Sequence, residues 1–422
     1  MPDEAAGDAM IADETRVAPG IAAQVVAQAA ALAVLPDPAD ALPSPAPTGE
    51  TFALGAFLAR WTSCARHDLA ASDSQAMPLA TLLRLAGPED VERWRRIGLG
   101  YTDPRGAVWL RAAIAARHAG LDADDVLACA GAQEAVTCAA RALLGPGDHA
   151  VVVTPIYQPS ELAVTSLCAA SGVPLDPSRG WRLDLDRLAA AIRPDTRLVL
   201  VNFPNSPTGA AVEPATLADL VALCRRRGLW LVNDEVYRQT DAAGSGPPVV
   251  ELYERGISIN GLSKGFGLPG LRVGWAACRD RGLLARMLAV KGTLSSCLTG
   301  PSEVLAHVAL TAEARILRWT RAIGRRNHRR LRHLTERHPE LFEADAPKNL
   351  AFAFPRFRGR EGAEGFALRV AAEAGLLVLP SGLWRSALAP VPTDRLRIGL
   401  GHAGSGAALD VLAAHLRTRA EG

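Results

Sequence analysis

Four short apolar runs, residues 125–130, 150–154, 198–201 and 229–232, are separated by stretches of helical character such as Pro214–Arg227. Runs that are apolar throughout belong to strands buried on both faces, and strands that alternate with helices build a mostly parallel sheet with helices on both sides. An α/β fold is therefore expected. Ligands of such sheets bind beyond the carboxyl ends of the strands, where this chain places Asn202, Asp234 and the loop after Tyr157. At 422 residues the chain exceeds one ordinary domain. Its last part alternates short strands (350–354, 376–379, 395–400) with helices (364–374, 405–416), which reads as a smaller α+β C-terminal domain.

Lysine occurs only at 264, 291 and 348, and arginine carries nearly all the positive charge. Lys264 stands in Asn260-Gly-Leu-Ser-Lys-Gly-Phe-Gly-Leu-Pro-Gly-Leu-Arg-Val-Gly-Trp275. A chain that otherwise prefers arginine keeps an amine here, and only an amine forms a Schiff base. The glycines at 261, 265, 267 and 270 permit a tight backbone path near a bulky ligand. A solvated loop lysine has the same local appearance, so this stretch alone leaves both readings open.

Three stretches in order, Asn202-Phe-Pro-Asn-Ser-Pro-Thr-Gly209, Asn233-Asp-Glu-Val-Tyr237 and Ser263-Lys264 followed by Arg272, resemble the fold type I, aspartate-aminotransferase-like enzymes that use pyridoxal phosphate (PLP). The resemblance runs from about Phe52 to the C-terminus. Asp68-Leu-Ala-Ala-Ser-Asp73 and the short interval from Asp234 to Lys264 resemble a bacterial branch that includes capreomycidine synthase. The division expected from this resemblance is a disordered leader over 1–50, a segment at the active-site mouth over 51–95, a large PLP-binding domain over 96–300 and a small domain over 301–422.

The resemblance implies a role for each matching residue. Lys264 holds PLP as a Schiff base and, once freed, moves the proton at the substrate Cα. Asp234 pairs with the pyridine nitrogen, Tyr237 donates to the phenolic oxygen, and Tyr157 supplies a flat face for stacking. Arg272 and Ser263 meet the phosphate, with the amides of Ala132 and Gln133 at a strand–glycine–helix junction where free N–H groups and the helix dipole favour an anion. Tyr101 reaches the phosphate of a partner's cofactor, which implies a homodimer. Arg397 clamps the substrate α-carboxylate, with Arg395 on the same strand face as its fallback.

Two positions depart from the family pattern. Ser206 replaces the asparagine that usually precedes Pro-Thr-Gly, with Asn205 one position earlier as its substitute, and Gly261 replaces a phosphate-binding serine for which Ser263 is the substitute. The implied activity is transfer of an α-amino group from an amino acid to a 2-oxo acid. The alternative is a PLP-dependent cyclase, oxidase or hydroxylase acting on arginine or a derivative, for which Asp68 or Asp73 would meet the cationic side chain. A ligand-sensing part of a transcription regulator is a third reading, disfavoured because residues 1–50 are acidic and Pro-rich, unlike a DNA-binding module.

Composition narrows the partners further. A net charge of +2 gives no reason to expect nucleic acid or an anionic membrane surface. The seven cysteines are scattered without a C-x-x-C pair and read as buried apolar residues in a reducing compartment. The longest apolar run, 21–35, contains Gln24 and Gln28 and is shorter than the roughly 20 residues of a membrane helix. It follows Asp3, Glu4, Asp8, Asp13 and Glu14, the wrong charge for a signal peptide, so a cytoplasmic protein is expected. The basic run 325–332 retains an apolar stripe through Ile323, Leu331 and Leu334 and reads as a solvated helix face.

Overall fold

The computed structural model describes residues 52–63, 65–242, 244–344 and 349–420. The expected leader over 1–50, with the apolar run 21–35, lies outside the described residues. The chain enters with the helix Ala53–Trp61, which buries Leu54, Phe57 and Trp61, and then the two-residue strand β1 (His67–Asp68).

Seven strands follow: β2 (Val126–Cys129), β3 (His149–Thr154), β4 (Ala169–Pro174), β5 (Thr196–Asn202), β6 (Trp230–Asp234), β7 (Gly256–Gly261) and β8 (Gly274–Cys278). They form one sheet in the order β2-β8-β7-β6-β5-β3-β4. Pairing is parallel from β4 through β7, while β8 runs antiparallel to both its neighbours. The expected mostly parallel sheet is therefore present. Side chains alternate between faces with the period of two that a strand imposes. Leu198, Leu200, Val232, Ile257 and Ile259 enter one buried cluster, while Val199, Val201 and Leu231 enter the other. Each such side chain stabilises the fold by roughly 1.5–3 kcal/mol relative to exposure.

Strand β4, Ala-Ala-Ser-Gly-Val-Pro, carries little strand signal of its own. It is placed by its ladder with β3 along an edge of the sheet. Three helices follow β8: Arg281–Gly292, Gly300–Thr311 and Glu313–Arg337. The first break contains Ser296 at φ 61°, and Thr299 caps the next helix through the Ser302 amide. In the third helix Ile323, Leu331 and Leu334 are buried beneath the basic run.

The remaining strands are short: β9 (Phe342–Glu343), β10 (Phe352–Ala353), β11 (Arg356–Phe357), β12 (Leu376–Leu377), β13 (Leu379–Pro380) and β14 (Leu396–Gly399). The order β10-β14-β13 makes a small antiparallel sheet, and β1 pairs in parallel with β12. Residues 67–75 thus form a strap. Its Leu69 carbonyl accepts from the Gly399 amide at 2.6 Å, its Gln75 amide donates to Gly401 at 2.8 Å, and its Ser74 amide donates to the Lys264 carbonyl at 3.0 Å. The approach is so close that a Cβ on Gly399 would lie 2.2 Å from the Ala71 oxygen, and one on Gly401 would lie 2.1 Å from the Asp73 oxygen.

Candidate active site

Parallel register aligns the ends of three central strands. Asn202 lies opposite Asp234, Asp234 lies opposite Ile259, and the Lys264 loop begins just after β7 ends at Gly261. The loop holds Lys264 half-buried, with its Nζ donating to Ser72 Oγ at 3.0 Å and 5.5 Å from the Tyr237 ring centroid.

Asp234 closes β6, and its carbonyl accepts from Asn202 Nδ2 at 2.7 Å. Its carboxylate accepts one hydrogen bond among the described contacts, from the Val236 amide at 3.2 Å. Burial pushes the carboxyl up to about 6, against the Val236 bond and the Lys264 charge, with Glu235 adding to the rise. A buried carboxylate so poorly satisfied suits a cationic N–H donor, which is what a protonated pyridine offers. The neighbouring Glu235 is different, because Val249, Ser258 and Asn233 all donate to it.

Tyr237 is buried edge-on against Phe352, with centroids 5.1 Å apart. Tyr157 precedes the helix Gln158–Thr165 and packs edge-on against Phe52 at 5.4 Å. Burial pushes its phenol up, while Lys264, Arg397 and Arg272 act in the opposite direction, so these groups share one electrostatic environment.

The helix Ala132–Leu143 starts at Gly131, φ 94°, and its N-terminus takes no side-chain cap. Arg272 crosses this turn so closely that a Cβ on Gly131 would lie 2.4 Å from Nη2, and it donates to the Ala130 carbonyl at 3.3 Å. The uncapped amides of Ala132 and Gln133 and the adjacent guanidinium make a cradle for a phosphate-sized anion. The Gln133 side chain accepts from Ser160 Oγ at 3.0 Å through Oε1. Ser263 lies half-buried beside Lys264.

The loop after β5 departs from expectation at Asn205. That side chain donates to the Pro155 carbonyl at 3.0 Å and accepts from Thr208 Oγ1 at 2.7 Å and from the Thr208 amide at 3.3 Å. It is turned into the loop, so it is a scaffold residue and no substitute for the family's asparagine. Ser206 is buried, and its amide donates to Asn202 Oδ1 at 2.8 Å.

On β14, Arg397 is buried, with Nη2 donating to the Ala70 carbonyl at 2.6 Å. Its guanidinium carbon lies 4.7 Å from the Trp384 ring and 5.8 Å from Phe352. Burial pulls its pKa below the ordinary value, against Tyr237, Asp73, Asp68 and Tyr157. Arg395 instead stacks 4.8 Å from Trp181 and donates to the Phe354 carbonyl, which removes it as the fallback. Tyr101 stands apart from this cluster and is 95% exposed, beside Leu99 at 91%.

The strap adds Ser72 and the Ala70 carbonyl, which the sequence reading had not assigned, and shows the surroundings of Asp73. Ser72 touches Lys264, the Ala70 carbonyl touches Arg397, and Asp73 lies 3.4 Å from His402 Nε2. Burial works to raise the Asp73 pKa but is outweighed by the His402 imidazole 3.4 Å away and the Lys264 charge, which hold it below the usual carboxylate range. The Asp73 carboxylate in turn raises His402 against its own burial. The Asp68-to-Asp73 motif drew attention to this stretch, but serine and a backbone carbonyl carry no distinctive signal.

Comparison with known proteins agrees with this arrangement. Residues 87–416 match the family described as aminotransferase class I and II. Capreomycidine synthase of Streptomyces vinaceus is 34% identical over 330 residues, 74% of this chain and 81% of that protein. An arginine–pyruvate transaminase of Pseudomonas aeruginosa is 35% identical over 50% of this chain and 55% of its own length. Among solved structures, a PLP-dependent aminotransferase from Streptococcus suis superposes with a TM-score of 0.80 at 25% identity, covering 87% of this chain and 98% of that one. The PLP-dependent cyclase OrfR superposes at 0.77 with 27% identity, covering 89% and 99%.

Proposed function

The chain belongs to the class I and II aminotransferases, which use PLP, and we propose that it transfers the α-amino group of an amino acid to a 2-oxo acid. The observation that carries this reading is a line of contacts: Lys264 Nζ lies 5.5 Å from the Tyr237 ring, Tyr237 packs on Phe352 at 5.1 Å, and the Arg397 guanidinium lies 5.8 Å from Phe352, with the buried Asp234 carboxylate at the end of β6 three residues before Tyr237. When bound, the cofactor supplies the sink for the electron pair left on Cα. Asp234 keeps the pyridine nitrogen protonated, and Tyr237 donates to the phenolic oxygen. Tyr157 stacks on the ring. Arg272, Ser263 and the amides of Ala132 and Gln133 hold the phosphate. Ser206, in place of the family asparagine, would offer its hydroxyl to the phenolic oxygen. Arg397 fixes the α-carboxylate, so that Cα faces Lys264, which removes and returns the proton.

The exposed Tyr101 and Leu99 support a homodimer in which each Tyr101 reaches its partner's phosphate site. The described free cysteines support a cytoplasmic setting, and no described helix is long and apolar enough to cross a membrane.

A second reading draws on the strap beside Lys264, which carries Asp73, 3.4 Å from His402, and Asp68, whose carboxylate accepts from the Ala70 amide at 2.6 Å. These acids suit a cationic side chain, and the named activities of two relatives point to arginine or its derivatives. The same site would then carry out cyclisation, oxidation or hydroxylation. Spectra of wild type and Lys264→Ala with PLP and an amino-acid panel including arginine test both readings. A visible lysine-bound band that bleaches with one amino acid and returns with a 2-oxo acid supports transamination. Oxygen uptake or a cyclised product supports the second reading. Equal failure of both proteins to bind PLP overturns both.

A further inference from the structure

We infer that Ser72 is a positioning residue for the Lys264 amine. This rests on Lys264 acting as the proton carrier of the reaction proposed above. Ser72 and Lys264 are 192 residues apart, yet Oγ and Nζ are 3.0 Å apart. The serine backbone is held from both sides, because the adjoining strap is bound to the Lys264 loop through Ser74 and to the β14 end through Leu69 and Gln75. The flanking groups already have partners: the Ala70 carbonyl takes Arg397, and Asp73 pairs with His402. Ser72 is thus the strap residue whose side chain bonds to Nζ among the described contacts.

A lysine amine freed from its cofactor rotates about its Cε–Nζ bond, and its lone pair sweeps a cone. Donation of one N–H to Ser72 Oγ fixes that rotation and leaves the lone pair aimed away from the strap. The neutral amine takes the Cα proton and becomes an ammonium, while the C–H electron pair passes to the cofactor. Ser72 Oγ accepts one of the ammonium protons at the same position, so the amine stays in place until it returns the proton. Preorganisation of this kind acts on the proton-transfer step and leaves substrate binding untouched.

The test compares the wild-type holoenzyme with Ser72→Ala, Ser72→Thr and Lys264→Ala. The readouts are the visible band of the lysine-bound cofactor, kcat, KM and the isotope effect from deuterium at Cα. Ser72→Ala is expected to keep the band and a near-wild-type KM, lose about tenfold to a hundredfold in kcat, and show a larger isotope effect. Ser72→Thr, which restores a hydroxyl, recovers most of the rate. Unchanged kcat and isotope effect in Ser72→Ala overturn the inference, as does a threonine variant as slow as the alanine one. A raised KM at constant kcat, or loss of the band in Ser72→Ala alone, overturns it too by making Ser72 a binding residue. Absence of the band in the wild type instead removes the reading on which it rests.

Discussion

Arg397 Nη2 donates to the Ala70 carbonyl at 2.6 Å, joining β14 to a strap 327 residues earlier in the chain. One edge of the guanidinium is thereby fixed, and Trp384 and Phe352 flank it. The remaining N–H groups are left for a ligand oxygen pair, the geometry in which arginine outperforms lysine.

Arg397→Lys keeps the charge but cannot both bond Ala70 and present a fork to a carboxylate. Steady-state kinetics should show KM for the amino acid rising roughly tenfold to a hundredfold, the worth of one or two charge-assisted hydrogen bonds. The visible band of the bound cofactor should be unchanged.

Gly401→Ala drives a methyl group against the Asp73 oxygen, 2.1 Å from the ideal Cβ. The strap must move, at a cost of about 1–3 kcal/mol. Thermal unfolding should report a lower Tm together with lost activity. Gly404→Ala, where nothing lies within 4 Å of the added atom, is the control and should match wild type.

Asp234 is pushed up to about 6 by burial, so the folded apoprotein holds a proton there that the unfolded chain, near 3.8, releases. A raised carboxylate pKa means that this group's stability contribution falls as pH rises from about 4 through 6. Asp234→Asn should therefore stabilise the apoprotein at pH 7.5, by on the order of 2–3 kcal/mol, and flatten its Tm between pH 4 and 7. The same variant should lose most activity, since an amide cannot keep the pyridine nitrogen charged.

The Asp73–His402 pair titrates in the opposite sense at each end. Asp73 is held low, so its contribution is present above the ordinary carboxylate range and lost as pH falls through its depressed value. His402 is raised, so its contribution is present below about 6.5 and lost as pH rises through its elevated value. The pair should hold the strap best at mildly acidic to neutral pH. In Asp73→Asn, proton NMR should show the His402 titration moving down towards ordinary histidine.

Much of this molecule was legible before its structure. The buried strands around Val152, Leu200 and Val232 announced themselves as apolar runs, because a strand covered on both faces has no polar side. Asp234 and Lys264 were nominated by the motifs that resemble the family, and Asp234 also by its place at the end of such a strand, where an α/β sheet puts its ligand. β4 and β8, rich in alanine, glycine and serine, carried no comparable signal and owe their conformation to the neighbours they pair with.

The sequence by itself therefore determined the apolar strands at the heart of the sheet, since apolar periodicity is a local property, while the candidate site groups were nominated by the family resemblance of its motifs. Only the tertiary structure decided that Arg397 faces the site while Arg395 stacks on Trp181, that Asn205 serves its own loop, and that Ser72 meets Lys264. The contacts of Arg397 with Ala70 and of Ser72 with Lys264 accompany two backbones that approach until no Cβ fits between them at Gly399 and Gly401. Such contact joins residues hundreds of positions apart, and no pattern along one stretch of chain encodes it.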